Sequence, residues 1–517
     1  MTRNIFSMML GFLIYHPSDA QITFQKSYGV SATCGWYHSM QPVNDGGYII
    51  IGNDSLGVNN TDMLVIKTDE SGDTLWTRTY GGQLNEWGSS IQQTTDNGYI
   101  LTGSSSSFSG GLDAYLIKTD SLGNIFWTKT YGGPGEDWGY SAIQTNDGGY
   151  ILTGLTFSFG AGSGDVYIVR TDSNGVILWT SVLGGSQWDR GYYIKQTADS
   201  SFMIIGETQS YGIGLDNIYL IKVGANGNLV WTKTYGDTFL HDAFFFDSTN
   251  DGGFIIAGRG ANSGDAAYLL RIDSIGNILW NKTYGKSYID LAYAAHQTRD
   301  NGFILTGRTT NPITFHADIL LIKTDSSGTM QWNNVIGGTG YKRGLSVEET
   351  NDGGYIIAGE NNSEQKIYLI KTDSIGNSEC YGGSAVFIEG NPATQVTVAS
   401  SLVSAASFIT LSPATSVSSG SILNTPCSNV SVYDQTENSN FVTVFPDPST
   451  GIFTIKFIIP VNKGTIEIYN MTGNKVFEDI IYLTEKKVVS LNNISKGIYT
   501  VKVLTEANVF CKKIIIQ

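Results

Sequence analysis

Three tryptophans, Trp36, Trp87 and Trp138, stand 51 residues apart, and the same place later in the chain is held by Arg190 and Arg343. Each lies nine residues before an aspartate that opens a turn: Asp45, Asp96, Asp147, Asp199 and Asp352. Carboxylates directly precede several of them, namely Glu86, Asp137 and Asp189. Indole faces pack on the apolar faces of pyranose rings, and carboxylates accept hydrogen bonds from hydroxyls. The constellation Trp36, Trp87, Trp138, Arg190, Arg343, Glu86, Asp137 and Asp189 is therefore a candidate sugar-stacking platform. The competing reading is that the tryptophans fill gaps between repeats.

Other chemistry finds less support. The chain has five histidines, and none forms an HExxH or another metal-like cluster. No G-x-S-x-G elbow or phosphate-binding loop is present. Carboxylates from different repeats could form a glycosidase-like pair, but catalytic sites usually break repeat symmetry and these repeats are closely alike. Turns such as Asp69–Asp73 and Asp120–Asn124 carry paired oxygens, yet an EF-hand loop needs far more ligands at fixed spacing. Turn chemistry accounts for them, so the expectation is no metal and no cofactor.

Elements that hold such residues emerge from internal repetition. Stretches like "WTKTYGG" place tryptophan at 76, 127, 179, 231, 280 and 332, and the turn aspartates number seven with Asp251 and Asp300. Each unit of about fifty residues reads as four strands joined by Asn/Asp/Gly turns, whose positive φ these residues tolerate. Strands two to four are continuous apolar runs, as expected of sheets buried on both faces. That pattern predicts an all-β, seven-bladed β-propeller over residues 22–384. "FQKSYG" at Phe24–Gly29 is an outer strand without a preceding unit, and the last unit lacks one. The N-terminal strand is thus expected to complete the last blade. Short A–B and C–D turns share one face, and the varied B–C and D–A loops share the other, where binding is expected.

The ends and the charge bound the setting. Residues 1–20 read as a signal peptide, with Arg3, an apolar run from Ile5 to Tyr15, and Ser18-Asp19-Ala20. No other run is long enough to span a bilayer as a helix. A net charge of −15 argues against nucleic acid and anionic membranes as partners. Of four cysteines, Cys380 and Cys427 are the candidate disulfide pair, since they bracket one irregular segment.

The "D-S-x-G-N-(I/L)-x-W" hairpin resembles the blade signature of PQQ-type bacterial propellers; no counterparts of the quinone-binding residues are recognisable, so the cofactor is not inferred. Residues 441–517 resemble the type A C-terminal sorting domain of type IX secretion cargo in Bacteroidetes-like bacteria. The matching stretches are "VFPDPSTGIFTI", "IEIYNMTGNKV", "ISKGIYTVKV" and "KKIIIQ", with Pro446, Pro448, Gly451, Gly473, Gly497, Tyr499, Lys512 and Lys513 as the motif positions. Asp447 stands where that family usually has Asn. The resemblance implies the type IX machinery as a partner and a secreted or cell-surface destination. Physically, the segment reads as a small Ig-like β-sandwich. Between the two lies 385–440, a Ser/Thr-rich linker or small β segment. Together these readings point to an exported, non-catalytic propeller that binds a glycan or a protein. A secreted carbohydrate-active hydrolase or lyase and a structural surface-layer protein are the alternatives.

Overall fold

A computed structural model describes residues 22–516, apart from 30–31, 36–38, 58–59, 109–110, 214, 238–240, 262–264, 286–288, 312–314, 338–339, 379–381, 384–387, 391–394, 399–401, 405–408, 412–415, 419–422, 430–441, 446–448, 471–474, 492–494 and 506–508. Among the described residues there is no helix. Seven antiparallel sheets follow one another, and an eighth is formed by the C-terminal segment. The second sheet shows the plan: Glu86–Gln93, Tyr99–Ser105, Asp113–Thr119 and Ile125–Gly132 pair in chain order. Its two middle strands are buried along their whole length, which is why they carry no apolar–polar alternation.

The repeated motifs have identifiable contacts. The basic residue of each "IKTD" run bonds the turn aspartate of its own sheet: Lys67–Asp45 at 2.8 Å, Lys118–Asp96 at 2.9 Å, Lys222–Asp199 at 2.7 Å and Lys371–Asp352 at 2.9 Å. Lys118 also donates to the Thr119 carbonyl, so its buried ammonium is saturated. The tyrosine of "TYG" reaches into the next sheet. Tyr80 donates to the Gly123 carbonyl at 2.7 Å and Tyr131 to Gly175 at 2.8 Å. Gly123 and Gly175 have φ of 78° and 74°, which glycine adopts at no steric cost. One motif thus closes hairpins, and the other joins neighbouring sheets.

First strands of successive sheets pack on one another, from Glu86–Gln93 through Asp137–Gln144, Asp189–Gln196, His241–Ser248 and Asp290–Gln297 to Lys342–Glu349. Lys342–Glu349 in turn touches Met40–Pro42 of the first sheet, so the series returns to its start. The N-terminal strand Thr23–Tyr28 pairs with Lys366–Thr372 of the seventh sheet, with Phe24 opposite Lys371.

The segment 385–440, which the sequence leaves open between a linker and a small β segment, provides most of a run of short strands between 382 and 429 that adds one outer strand to every one of these sheets. The strands follow in reverse order. Gly382–Gly383 lies on the sixth sheet, then Ile388–Gly390, Gln395–Val398, Leu402–Ser404, Ile409–Leu411 and Ser416–Ser418 on the fifth back to the first. Leu423–Asn429 ends the run on the N-terminal strand. From Ile388 each piece begins seven residues after the last, a reach of about 23 Å for extended chain. This belt covers edges that would otherwise present unpaired backbone groups.

The C-terminal strands Val442–Phe445, Ile452–Asn470, Lys475–Ser490, Gly497–Thr505 and Val509–Ile516 form one antiparallel sheet over a core that includes Phe453, Ile466, Val501 and Ile514. Ser449 ties its first turn to the last strand by donating its backbone N–H to Ile515 at 2.7 Å. Tyr499 donates to the Ser495 carbonyl at 2.6 Å, and Gly451, at φ 98°, accepts from Leu491. Pro446, Pro448, Gly473 and Cys380 lie outside the described residues, as do the side chains of Lys512, Lys513 and Cys427. The Cys380–Cys427 pairing therefore lies outside them too. Cys34 is a free, buried thiol, and burial pushes its pKa up to about 12.

Candidate functional site

The first strands build the site. In the second to seventh sheets each carries a bulge at its third or fourth residue: Gly139 pairs with Gly154 and Ser141 with Thr153, leaving Tyr140 unopposed. A bulge re-aims a side chain, and here the residue at the bulge joins the one two places before it on the same wall. Trp138 and Tyr140 both face one cavity. The small residue between them allows close packing: a Cβ on Gly139 would stand 2.7 Å from the Gly103 carbonyl of the preceding sheet.

That cavity has a volume of about 780 Å³. Its wall is aromatic. Trp87 and Trp138 lie 5.8 Å apart between ring centroids, and below them runs a chain of rings: Tyr140–Tyr192 at 5.7 Å, Tyr192–Phe244 at 6.4 Å and Phe244–Tyr293 at 5.2 Å. Trp188, from the loop leading into the fourth sheet, packs edge-on to Phe157 at 5.0 Å. Phe157 follows the second strand of the third sheet, Tyr150–Thr156, and Glu136 and Trp188 each precede a first strand, so all three lie in the B–C and D–A connections where the binding face is expected.

Charges at the mouth are neutralised in place. Arg190 bonds Glu207 at 2.5 Å, Arg343 bonds Glu360 at 2.5 Å, and Asp242 bonds Arg259 at 2.5 Å. Each pair joins directly opposed residues of the first and second strands. Burial raises the Glu207 carboxyl and Arg190 opposes that shift. The Arg190 guanidinium also lies over Trp188, 4.6 Å from the ring centre. Among the described residues lining the cavity, Glu136 is the one carboxylate.

Of the expected platform, the fold brings Trp87, Trp138, Arg190 and Arg343 together around the cavity; Trp36 lies outside the described residues. The three flanking carboxylates require a correction. Glu86, Asp137 and Asp189 are fully buried, away from the lining, and accept backbone N–H groups from Gly82, Gly133 and Gly185 at 2.6, 2.8 and 2.8 Å. Neighbours on a strand point to opposite faces, so a residue beside a cavity-facing tryptophan faces away. Sequence reasoning missed the second aromatic tier. Its signal was an aromatic two places after the platform position, as in "WGY", "RGY", "DAF" and "LAY".

Towards the tight-turn side, the same strands carry a polar cluster. His296 Nδ1 is 2.6 Å from Asp247 Oδ2 and its Nε2 is 3.3 Å from Glu348, while Lys195 bonds the other oxygen of Asp247. Burial alone would lower the His296 pKa, but the Glu348 and Asp247 carboxylates hold it above its ordinary value. Among the described residues, no group of three or more His, Cys, Asp or Glu side chains is suited to a metal, and no helix is long and apolar enough to cross a membrane.

No curated protein matches the chain. Similar solved structures include a fungal alcohol oxidase of the AA5 family in complex with copper, 10% identical, covering 95% of this chain and 99% of that one, TM-score 0.34. Another is MPT-4, a mannose phosphorylase from Leishmania mexicana in complex with a phosphate ion, 10% identical, covering 44% of this chain and 81% of that one, TM-score 0.24. Likeness at these scores carries no argument about chemistry. The C-terminal segment is better defined: residues 443–517 match the secretion system C-terminal sorting domain, a domain of type IX secretion, and the protein is therefore exported, either secreted or attached to the cell surface.

Proposed function

We propose that this exported protein is a non-catalytic binder of an uncharged saccharide, held in the aromatic cavity. The carrying observation is the aromatic lining of a space of about 780 Å³, the pair Trp87–Trp138 and the run of rings from Tyr140 to Tyr293. Such a volume lies in the usual range of small-ligand pockets. Rings that already pack on each other keep their orientation without a ligand, which lowers the ordering cost of stacking. Because each mouth arginine is matched to a carboxylate, neither is a free charge for an acidic ligand.

The architecture supports the same reading. The seven sheets are, in this proposal, the blades of a propeller that is closed by the N-terminal strand, and the cavity is the mouth of its central channel. The returning series of first-strand contacts favours this arrangement. The C-terminal sheet is a sandwich-like sorting module that engages the type IX machinery. A glycosidase of the usual kind uses two carboxylates at the scissile bond, and among the described lining residues Glu136 is the carboxylate present.

The test is retention on a glycan array, followed by product analysis of bound saccharides. Trp138→Ala and Trp87→Ala should each abolish retention while leaving the folded spectrum intact. Cleavage of a bound saccharide, or retention unchanged in both variants, overturns the proposal.

A further inference from the structure

The bulge residues of the first strands form one tier around the cavity, and the tier has a gap. In the third to seventh sheets the unopposed residue is Tyr140, Tyr192, Phe244, Tyr293 or Leu345, each a large, mostly apolar side chain. In the second sheet it is Ser89, between the paired Gly88 and Ser90. All six line the same cavity. Five sheets fill this level with carbon, whereas the second leaves a notch with a hydroxyl on its wall.

Two polar groups are unused at the notch. Ser89 Oγ has no hydrogen-bond partner among the described residues and is not sealed from the cavity. Asn53, on the second strand of the first sheet, Tyr48–Gly57, is 5% exposed and also lines the cavity. Its Oδ1 accepts the Gly88 N–H at 2.7 Å, which fixes the amide beside Ser89. Only the amide oxygen can accept, so Nδ2 is the group left over, a donor with no partner among the described residues. A nearly buried donor is unfavourable there unless water or a ligand takes its hydrogen bond.

The next sheet supplies the control. Ser104 Oγ accepts the Gly139 N–H at 3.3 Å, as Asn53 does for Gly88, but brings no spare amide. The bulge residue beside it is Tyr140, which fills the space. Gap and spare donor therefore coincide at one junction of the ring.

We propose that this notch is the specificity-determining subsite of the cavity and takes the hydroxymethyl group of a neutral hexopyranose. The assignment rests on the saccharide reading of the same cavity. Trp87 and Ser89 stand two residues apart on one wall, so a pyranose ring stacked on Trp87 sets its edge over the notch. Of the substituents on such a ring, the hydroxymethyl carries an extra carbon and projects furthest. Its hydroxyl accepts from Asn53 Nδ2 and shares a hydrogen bond with Ser89 Oγ. A 6-deoxyhexose brings a methyl group and leaves both protein groups unpaired. A uronic acid brings a carboxylate that neither group neutralises.

The full-length protein is titrated calorimetrically with the methyl glycosides of glucose, galactose and mannose, each against its 6-deoxy analogue. At least one hexoside should bind about 30-fold more tightly than its analogue, two hydrogen bonds at about fivefold each. Asn53→Ser, which copies Ser104, and Ser89→Ala should each cut that preference about fivefold. Ser89→Tyr, which copies Tyr140, should abolish hexoside binding with the melting temperature unchanged. If it melts the fold instead, the preference measured in the other two variants decides. Equal affinity within every pair, or a preference unchanged in Asn53→Ser and Ser89→Ala, overturns the notch and leaves the saccharide reading standing. No binding of any of the six probes also overturns the notch; the saccharide reading falls with it only if the glycan array is blank as well.

Discussion

Positions that keep their identity through the repeats and positions that abandon it differ in what surrounds them. Lys118 and Tyr131, which recur in most units, are buried and fully bonded to an aspartate, a carbonyl or the next sheet's turn. The platform position instead reads Trp87, Trp138, Arg190, Asp242, Leu291 and Arg343, and most of these line an open cavity. Identity is retained where a side chain completes the scaffold and released where it faces a ligand-sized space. The lesson separates stability from recognition by position within a single fifty-residue unit.

The comparison breaks first, if it breaks, at the scaffold. Tyr131→Ala should cost about 3–5 kcal/mol, as a large buried side chain is lost, whereas Tyr131→Phe should cost about 1 kcal/mol for one hydrogen bond; chemical denaturation measures both. Equal losses in the two variants would show that the Gly175 contact, not the ring, carries the effect. Lys118→Ala should cost about 1.5 kcal/mol, at the low end for a charged hydrogen bond because Asp96 is half exposed.

Smaller but more telling is the pH profile. Asp96, Asp147 and Asp300 are held below the usual carboxylate value by their basic and hydroxyl partners. Their stabilisation is present above about pH 4 and lost as pH falls through their folded pKa values. Asp62 and Asp165 are raised by burial to about 6, so their contribution is greatest at low pH and is lost as pH rises through that value. His296, also raised, loses its contribution as pH rises above its folded pKa. The melting temperature should therefore peak near pH 5, fall on both sides, and flatten on the alkaline side in His296→Gln. A maximum at pH 8 would contradict these assignments. The smallest change in stability, under about 1 kcal/mol, is expected for Trp138→Ala, which gives up one ring pair yet should lose saccharide retention.

Much of this was legible before any coordinates. Glycine–asparagine turns and apolar runs announced four-stranded units, and "FQKSYG" announced an outer strand that pairs far along the chain, as Thr23–Tyr28 does with Lys366–Thr372. The tryptophans pointed to the cavity. Their acidic neighbours mislead, because residues adjacent along a strand face opposite sides of the sheet. The ion pairs of Arg190 and Arg343 were hidden, since their partners Glu207 and Glu360 lie 17 residues further on in a strand otherwise apolar. The belt escaped for a different reason. Pieces of three or four residues are too short to show a period of two, and their Ser/Thr/Val composition serves a linker equally well.

The belt also makes the molecule a gauge of its own length. The strand at residues 23–28 gains its first neighbour only when residues 366–372 exist, and its second only when 423–429 do. A chain ending anywhere before that keeps a raw edge at the seam, open to proteases and to other edges. Chains long enough to seal themselves are, by the same stroke, within a few dozen residues of carrying the domain that sends them out of the cell.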